Sequence, residues 1–533
     1  MNSKWFGEEK EYYYVVSTFM KSPKTHVLIQ AAIVFGIVIL LNVISIRLFG
    51  RIDLTAENVY TLADASKSIV GSLDDRVTVK AYFTEDLPAP YNNNRRATLD
   101  ILNEYKAYSD GNLQFDFINP AGEEGEQEAQ QQGIAPVQVQ VINDDKLEVK
   151  RGYLGLVLLF EDRKETIPVV QNLGSLEYDI SGALKRLTTT KKKKIGYTTG
   201  HQEAEPSAFQ QAAQMVTAQY ELVPVDLAAT AAVPPDIDAL LVIAPEGRFS
   251  DSSKYAIDQY LMQGGKLSFL LNRYSGNLQA RIAQPVETGL DDLLAQYGIR
   301  VNADLVRDAQ CAPVTVMQQQ GMFRFQSQVP FPLLPTPSDF NRENVIVKDL
   351  ETLLFFFVSS IDTSLASAKH IKAEVLVRSS QQSGKQTGFI TIDPLQRLTP
   401  TDLPEQHIPL AAVFEGSFQS FFVEKEPRAV HLASPETRIL VVGDGDFMKD
   451  EYLGARDNVV FFANIVDYLA DDAGLITIRS KNLAQAPLEQ VEDSTKRILK
   501  YVNLVLPPFI VVGYGVFRWR RRASLKRALE LQI

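Results

Sequence analysis

Apolar residues are distributed in two ways along this chain. Near each end they run together, at residues 27–48 (VLIQAAIVFGIVILLNVISIRL) and 501–517 (YVNLVLPPFIVVGYGVF). Between those runs they recur with helix or strand period. The first run is nearly free of charge over about the 20 residues that cross a bilayer core, and the second reaches a marginal span with Ile498 and Leu499. The basic cluster Arg518, Arg520, Arg521, Arg522, Lys526 and Arg527 follows directly. These features predict two terminal transmembrane helices at 27–48 and 498–517. The segment 1–26 and the basic tail 518–533 would then lie in the cytoplasm, with the large domain outside the inner (cytoplasmic) membrane.

The body reads as α/β. Residues 52–187 give a helix over 62–73 with Thr61 as its cap, a strand at 77–84 and a helix at 94–109. A strand at 113–120, a polar helix or linker, a strand entered through Pro136, further antiparallel strands and a helix at 176–187 complete it. This β-α-β-α-β-β-α order is that of thioredoxin, and neither CxxC position holds a cysteine, so the expected scaffold is redox-dead. The run Lys191–Lys194 reads as a solvated linker, or as a cluster facing anionic headgroups. From residue 194 to about 480 short buried strands alternate with helices, which implies right-handed crossovers, a mainly parallel sheet and a doubly wound domain. Its last strand is expected at LITIRS, 475–480. Residues 313–430, rich in Gln, Pro and Phe, read as a β-rich insertion.

Charge removes some functions. The net charge is −11 and both ends are basic, so the body is strongly acidic, which argues against nucleic acid. One cysteine, Cys311, excludes an internal disulfide and reads as an incidental buried thiol. No G-x-S-x-G elbow and no G-x-x-x-x-G-K-[ST] loop occurs, so neither a nucleophilic hydrolase nor an ATPase is indicated, and no cofactor or metal is called for.

Two short sequences fall where an open α/β sheet keeps its chemistry, at the carboxyl ends of strands. TTGHQEAE (198–205) places His201, Glu203 and Glu205 after one strand, and GDGDF (443–447) places Asp444 and Asp446 after another. His201, Glu203, Asp444 and Asp446 form the candidate pocket. Carboxylates with an imidazole suit a divalent ion. The plainer reading is that they cap helices and shape the cleft. The run Phe355–Phe357 reads as β-layer core or as an exposed docking patch.

Several ordered blocks resemble one family. RIDLTAENVYTLADASKSIVGSLDDRVTVKAYFTEDLP, TTGHQEAE, GGKLSFLLN, LLAQYGIRVNADLVRD and VVGDGDFMKD with NVVFFANIVDYLADDAGLITIRSK are similar to blocks of the GldG family, the gliding-motility-associated auxiliary component of ABC-2-type transporters. Gln202 stands where that family has glycine, and Tyr468 where it often has Trp. The resemblance implies an amidotransferase-like α/β domain without the cysteine nucleophile, and partnership with a permease and a cytoplasmic ATPase. The expected role is a non-catalytic accessory subunit assisting export or handling protein cargo. A ligand or ion sensor, a hydrolase using His201 and Asp444, and a cell-envelope scaffold are the alternatives.

Overall fold

The computed structural model describes residues 61–480, interrupted at 86, 88–90, 144–145, 171–172, 190, 231, 279, 321–322, 397, 426–428, 453–455 and 472, with helical residues within 30–40 and 500–522. The chain divides into a unit ending at Thr61 and a unit from Leu62 onward, and the second carries the fold.

The expectation of two terminal membrane spans is corrected. Among the described residues no helix is long and apolar enough to cross a membrane. Much of both runs lies outside those residues. The described helical residues of the two runs fall within 30–40 and 500–522. The placement in the inner membrane with cytoplasmic termini rested on those spans and falls with them. The α/β character stands.

The first layer of the large unit is a five-stranded sheet. Strands β1 (Val77–Phe83) and β2 (Leu113–Ile118) are parallel, β4 (Lys146–Phe160) runs antiparallel to β1, and β4 also pairs with β3 (Pro136–Asn143) and β5 (Arg163–Ile167). Val77, Val79 and Ala81 point to a core shared with α1 (Asp64–Gly71), α2 (Tyr91–Tyr108) and α4 (Leu176–Thr188). Tyr82 and Val157 pack on the other face against Ala129 of α3 (Gly122–Gln131). Helix α1 starts at Asp64, with Ala63 rather than Thr61 at the cap position. Buried carboxylates from other helices hold the amides just ahead of it: Leu62 N–H donates to Glu104 Oε2 at 2.9 Å and Ala63 N–H to Glu177 Oε1 at 2.6 Å. Tertiary partners thus do what a local cap would do.

The second layer is an eight-stranded sheet. Strands β6 (Lys194–Thr199), β7 (Glu221–Asp226), β8 (Ala239–Ile243), β9 (Leu267–Leu270), β10 (Asp339–Phe340), β11 (Lys372–Arg378), β12 (Pro409–Gln419) and β13 (Ala433–Val442) lie in the order β10-β11-β12-β13-β9-β8-β6-β7. The five from β13 to β7 are mutually parallel, and β12, β11 and β10 continue the sheet antiparallel. Every residue of β8 is buried. Ala239, Leu241 and Ile243 face α5 (Gln210–Thr217) and α7 (Arg456–Leu469), whereas Leu240 and Val242 face α6 (Asp251–Met262). A strand covered on both sides must read as a continuous apolar run, as ALLVI does.

Residues 313–430 are less separate than their composition suggests, because β10, β11 and β12 belong to the main sheet. Phe355 and Phe357 are buried and Phe356 packs beside them, so this run is core and not a docking patch. The lysine run also has a structural use: Lys192 Nζ donates to the Thr217 and Ala218 carbonyls and Lys193 Nζ to that of Ala470, closing the carboxyl ends of α5 and α7.

The expected strand at 475–480 is instead the helix α8 (Ala473–Ser480). Its β-branched residues favour a strand, but β13 is already paired on both sides, and α8 packs against α1, α4 and α7. Helix α8 therefore ties the two layers together.

Candidate functional site

Along the parallel part of the second sheet the order is β7-β6-β8-β9-β13. The winding reverses between β6 and β8, and the crevice beyond their carboxyl ends is the switch point at which such sheets bind ligands. Residues 200–205 leave β6 there and residues 244–250 leave β8.

The first turn is forced by its packing. Gly200 has φ +102°, and a Cβ would lie 2.7 Å from the Ala228 Cβ and 2.8 Å from Asp226 Oδ1. Gln202 follows at φ +59°, a left-handed conformation that glycine adopts without cost and that costs other residues about 1–2 kcal/mol. Gly247 lies against the His201 main chain, with its N–H donating to the His201 carbonyl at 2.7 Å.

His201 is buried. Its ring stacks on Phe249 with centroids 3.9 Å apart and planes 7° from parallel. Nε2 lies 3.1 Å from Ser253 Oγ, and Nδ1 lies 3.4 Å from Glu203 Oε1. Glu203 Oε2 accepts the His201 main-chain N–H at 2.6 Å. The order Ser–His–Glu has the spacing of a nucleophilic triad, but the serine is not available. Ser253 is fully buried in the first turn of α6, its hydroxyl donates to the Leu227 carbonyl at 3.0 Å, and it lies 2.8 Å from the Ser250 hydroxyl. The group binds the ends of β6, β7 and α6 together.

The turn after β8 has the shape of a nucleophile elbow without a nucleophile. Ala244 directly follows the strand at φ +47° and is buried. A strand-to-helix turn strained in this way is where an α/β hydrolase exposes its serine. Here the methyl group lies beneath Gly445, whose own Cβ would come within 2.7 Å of it.

Asp444 is fully buried beyond β13. Its Oδ2 accepts from Phe356 N–H and its Oδ1 from Asp446 N–H, both at 2.6 Å, so it braces the segment 354–356 against its own loop. Asp446 is partly exposed and pairs with Lys449 at 2.5 Å. Burial, and then the neighbouring Asp446 charge, hold the Asp444 carboxyl well above the usual aspartate range, against the two amides and Lys449.

An acid raised in the fold keeps its proton where the unfolded chain has already lost it. Asp444 therefore makes stability fall as pH climbs from its ordinary value of 3.8 toward the raised one. Asp444→Asn is expected to lose one backbone hydrogen bond, about 1–3 kcal/mol at every pH, and to flatten that decline. Urea midpoints measured from pH 4 to 8 check this, and equal slopes in both proteins would refute it.

The four candidate residues fall in two hydrogen-bonded groups. His201 and Glu203 form one cluster at β6, and Asp444 and Asp446 another at β13. No hydrogen bond or ion pair among the described contacts joins the clusters, and none of the four lines the cavities of about 450, 870 and 200 Å³. Among the described residues no group of three His, Cys, Asp or Glu is placed to hold a metal ion.

Two constellations have no sequence motif. Asp258 accepts from Tyr297 Oη, Ser420 Oγ, Phe421 N–H and Gln259 Nε2, staking residues 420–421 to α6. Its signal is a carboxylate between Ile257 and Tyr260 in a helix buried on most sides. Arg479 and Asp467 form a buried pair with Tyr178, for which the sequence carries no signal.

Comparison with known proteins adds a family. A family model described as an ABC-type uncharacterized transport system matches residues 192–471, and one described as a domain of unknown function matches residues 56–159. A relative from Borreliella burgdorferi, itself described as an uncharacterized protein, is 24% identical over 500 residues, 90% of this chain and 94% of its own. Among solved structures, the mmIFT52 N-terminal domain covers 52% of this chain and 96% of its own at 14% identity, with a TM-score of 0.34. A putative thua-like protein from Parabacteroides merdae covers 52% of this chain and 90% of its own at 9% identity, with a TM-score of 0.26. At these scores neither structure bears on fold or function.

Proposed function

The chain belongs to the family of ABC-type uncharacterized transport system auxiliary components, and on that premise we propose that it is a non-catalytic subunit of such a transporter, working beside a permease and an ATPase encoded elsewhere. One observation carries the non-catalytic part. At the switch point, where this architecture keeps its chemistry, the elbow position is Ala244, sealed under Gly445, and Ser253, the serine hydrogen-bonded to His201 among the described residues, is buried and committed to Leu227. The crevice is built as a joint. The finer placement, within the gliding-motility-associated GldG branch and with an ABC-2-type permease, rests on the ordered sequence blocks quoted above. On this reading the two α/β layers act as a rigid body that handles cargo or couples to the permease, and the ATPase supplies the energy.

Affinity purification of the tagged full-length chain from its own cells, in mild detergent, with mass spectrometry of what accompanies it, tests the proposal. A permease and an ATPase recovered in near-stoichiometric amount are expected. Recovery of the chain without either subunit would count against the reading.

A further inference from the structure

Three residues beyond β9, Arg273 stands at the carboxyl end of the parallel sheet, the end at which open α/β sheets meet their ligands. Its main chain is fixed from both sides. The Asn272 carboxamide oxygen accepts the Gly445 N–H at 2.7 Å, and the Arg273 carbonyl accepts the Val286 N–H at 2.9 Å. The Arg273 side chain is 15% exposed and lines a cavity of about 200 Å³ with Asp291, Leu294, Arg300, Val301 and Asn302. That volume is the liquid share of about six or seven waters. It accommodates one phosphate or carboxylate group and is smaller than the sites that enclose whole drug-sized ligands.

The charged residues of the lining are two arginines and one aspartate, so the wall is net positive in a chain of net charge −11. Asp291 Oδ1 and Oδ2 lie 3.0 and 3.2 Å from Arg273 Nη1 and orient the guanidinium. That contact engages one of its three nitrogens. Nε is buried without a partner, and Nη2 makes no hydrogen bond among the described contacts. Arg300 is freer still. Its side chain is 54% exposed, and the Asp362 carboxylate lies 3.7 Å from Nη1, beyond hydrogen-bond reach. Its main chain is held by the pairing of Arg300–Val301 with Ile361–Asp362. Two guanidinium groups with unspent donors thus meet one cavity on a fixed main chain. Their forks match the oxygens of a carboxylate or phosphate, and the apolar Leu294 and Val301 beside them strengthen such a contact.

We propose that this cavity binds an oxyanion, a phosphate or carboxylate group, between the Arg273 and Arg300 guanidinium groups, with Asp291 as the positioning residue. The ligand is a small anion or the anionic end of a larger molecule. The site is separate from the clusters at β6 and β13, whose residues do not line it, and it does not depend on the transport role.

Isothermal titration of the full-length protein at low ionic strength, with inorganic phosphate and separately with acetate, tests this. Saturable binding of at least one of the two is expected, with chloride at matched ionic strength giving none. Phosphate without acetate assigns a phosphate group, acetate without phosphate a carboxylate, and both together a site that takes either oxyanion. Arg300→Ala is expected to weaken binding at least about tenfold, the scale of one charge-assisted hydrogen bond. Arg163→Ala on β5 of the first layer, where the side chain is 37% exposed, changes the net charge equally and is expected to leave binding unchanged. No saturable binding of either anion, or an equal loss from Arg300→Ala and Arg163→Ala, overturns the proposal.

Discussion

Arg479→Ala is expected to cost about 3–5 kcal/mol, read as a fall in the urea midpoint of the full-length protein. The arginine lies on α8 with 7% of its side chain exposed, and it pairs at 2.8 Å with Asp467 of α7, which is 1% exposed. Nη1 donates to Asn464 Oδ1 at 2.7 Å, and Nη2 to the hydroxyl of Tyr178, on α4 of the first layer, at 2.8 Å. The guanidinium also lies 4.8 Å from the Tyr178 ring centre. Removing it strands the Asp467 carboxylate in the interior with Tyr220 Oη, at 2.7 Å, still donating to it. An unpaired buried charge is the costly outcome. Losing the pair as a whole costs far less, so Arg479→Met combined with Asp467→Leu should recover most of the stability. Arg479→Lys should recover little, because one ammonium cannot span three acceptors on two layers. The same contacts join α4 to α7 and α8, so the single variant should also loosen the first layer against the second, visible as a broadened or split transition. An Arg479→Ala protein within 1 kcal/mol of the parent would show that the joint is held by apolar packing instead.

Little of this joint is visible in the sequence, and the reason is general. Alternation in 77–83 and the buried run ALLVI report how a residue meets its own element, and both strands lie where those patterns place them. Helix α8 shows the limit of such patterns. LITIRS has the composition of a strand, and only the full occupancy of β13 and the apolar faces of α1, α4 and α7 make it a helix. The Phe355–Phe357 run and the lysine run carried two readings each, and both were resolved by neighbours more than twenty residues away: Phe447 packs on Phe355, and Ala218 and Ala470 accept from the lysines. The candidate site was legible as position, since His201 and Asp444 do follow the strands they were expected to follow. Its role was not legible. Whether Ser253 is free or tied to Leu227, and whether Ala244 is open or covered by Gly445, depends on contacts between distant segments.

The second large effect tests what the GDGDF loop is for. Gly443→Ala is expected to destabilise the protein by about 3 kcal/mol or more, beyond the usual range for an added methylene, because the clash is with main chain. A Cβ at this position would lie 1.9 Å from the Ser359 carbonyl oxygen. The cause is space and not conformation, since Gly443 is not among the residues with positive φ. Neither side can give way. Gly443 N–H donates to the Leu410 carbonyl at 3.0 Å, and its own carbonyl accepts from Ser359 N–H at 2.8 Å. The Ser359 hydroxyl donates to the Asp304 carbonyl at 2.7 Å, and the Asp304 carboxylate holds Ser360 through its N–H at 2.8 Å and its hydroxyl at 2.6 Å. Asp446→Asn, three residues away, removes a partly exposed pair with Lys449 and also relieves the repulsion on the Asp444 carboxyl, so it should shift stability by no more than about 1 kcal/mol. Thermal melts of the two variants therefore separate the readings of the motif. A packing motif makes the glycine indispensable and the partly exposed aspartate dispensable. A ligand-binding motif reverses that order, with Gly443→Ala folding normally and Asp446→Asn carrying the functional loss.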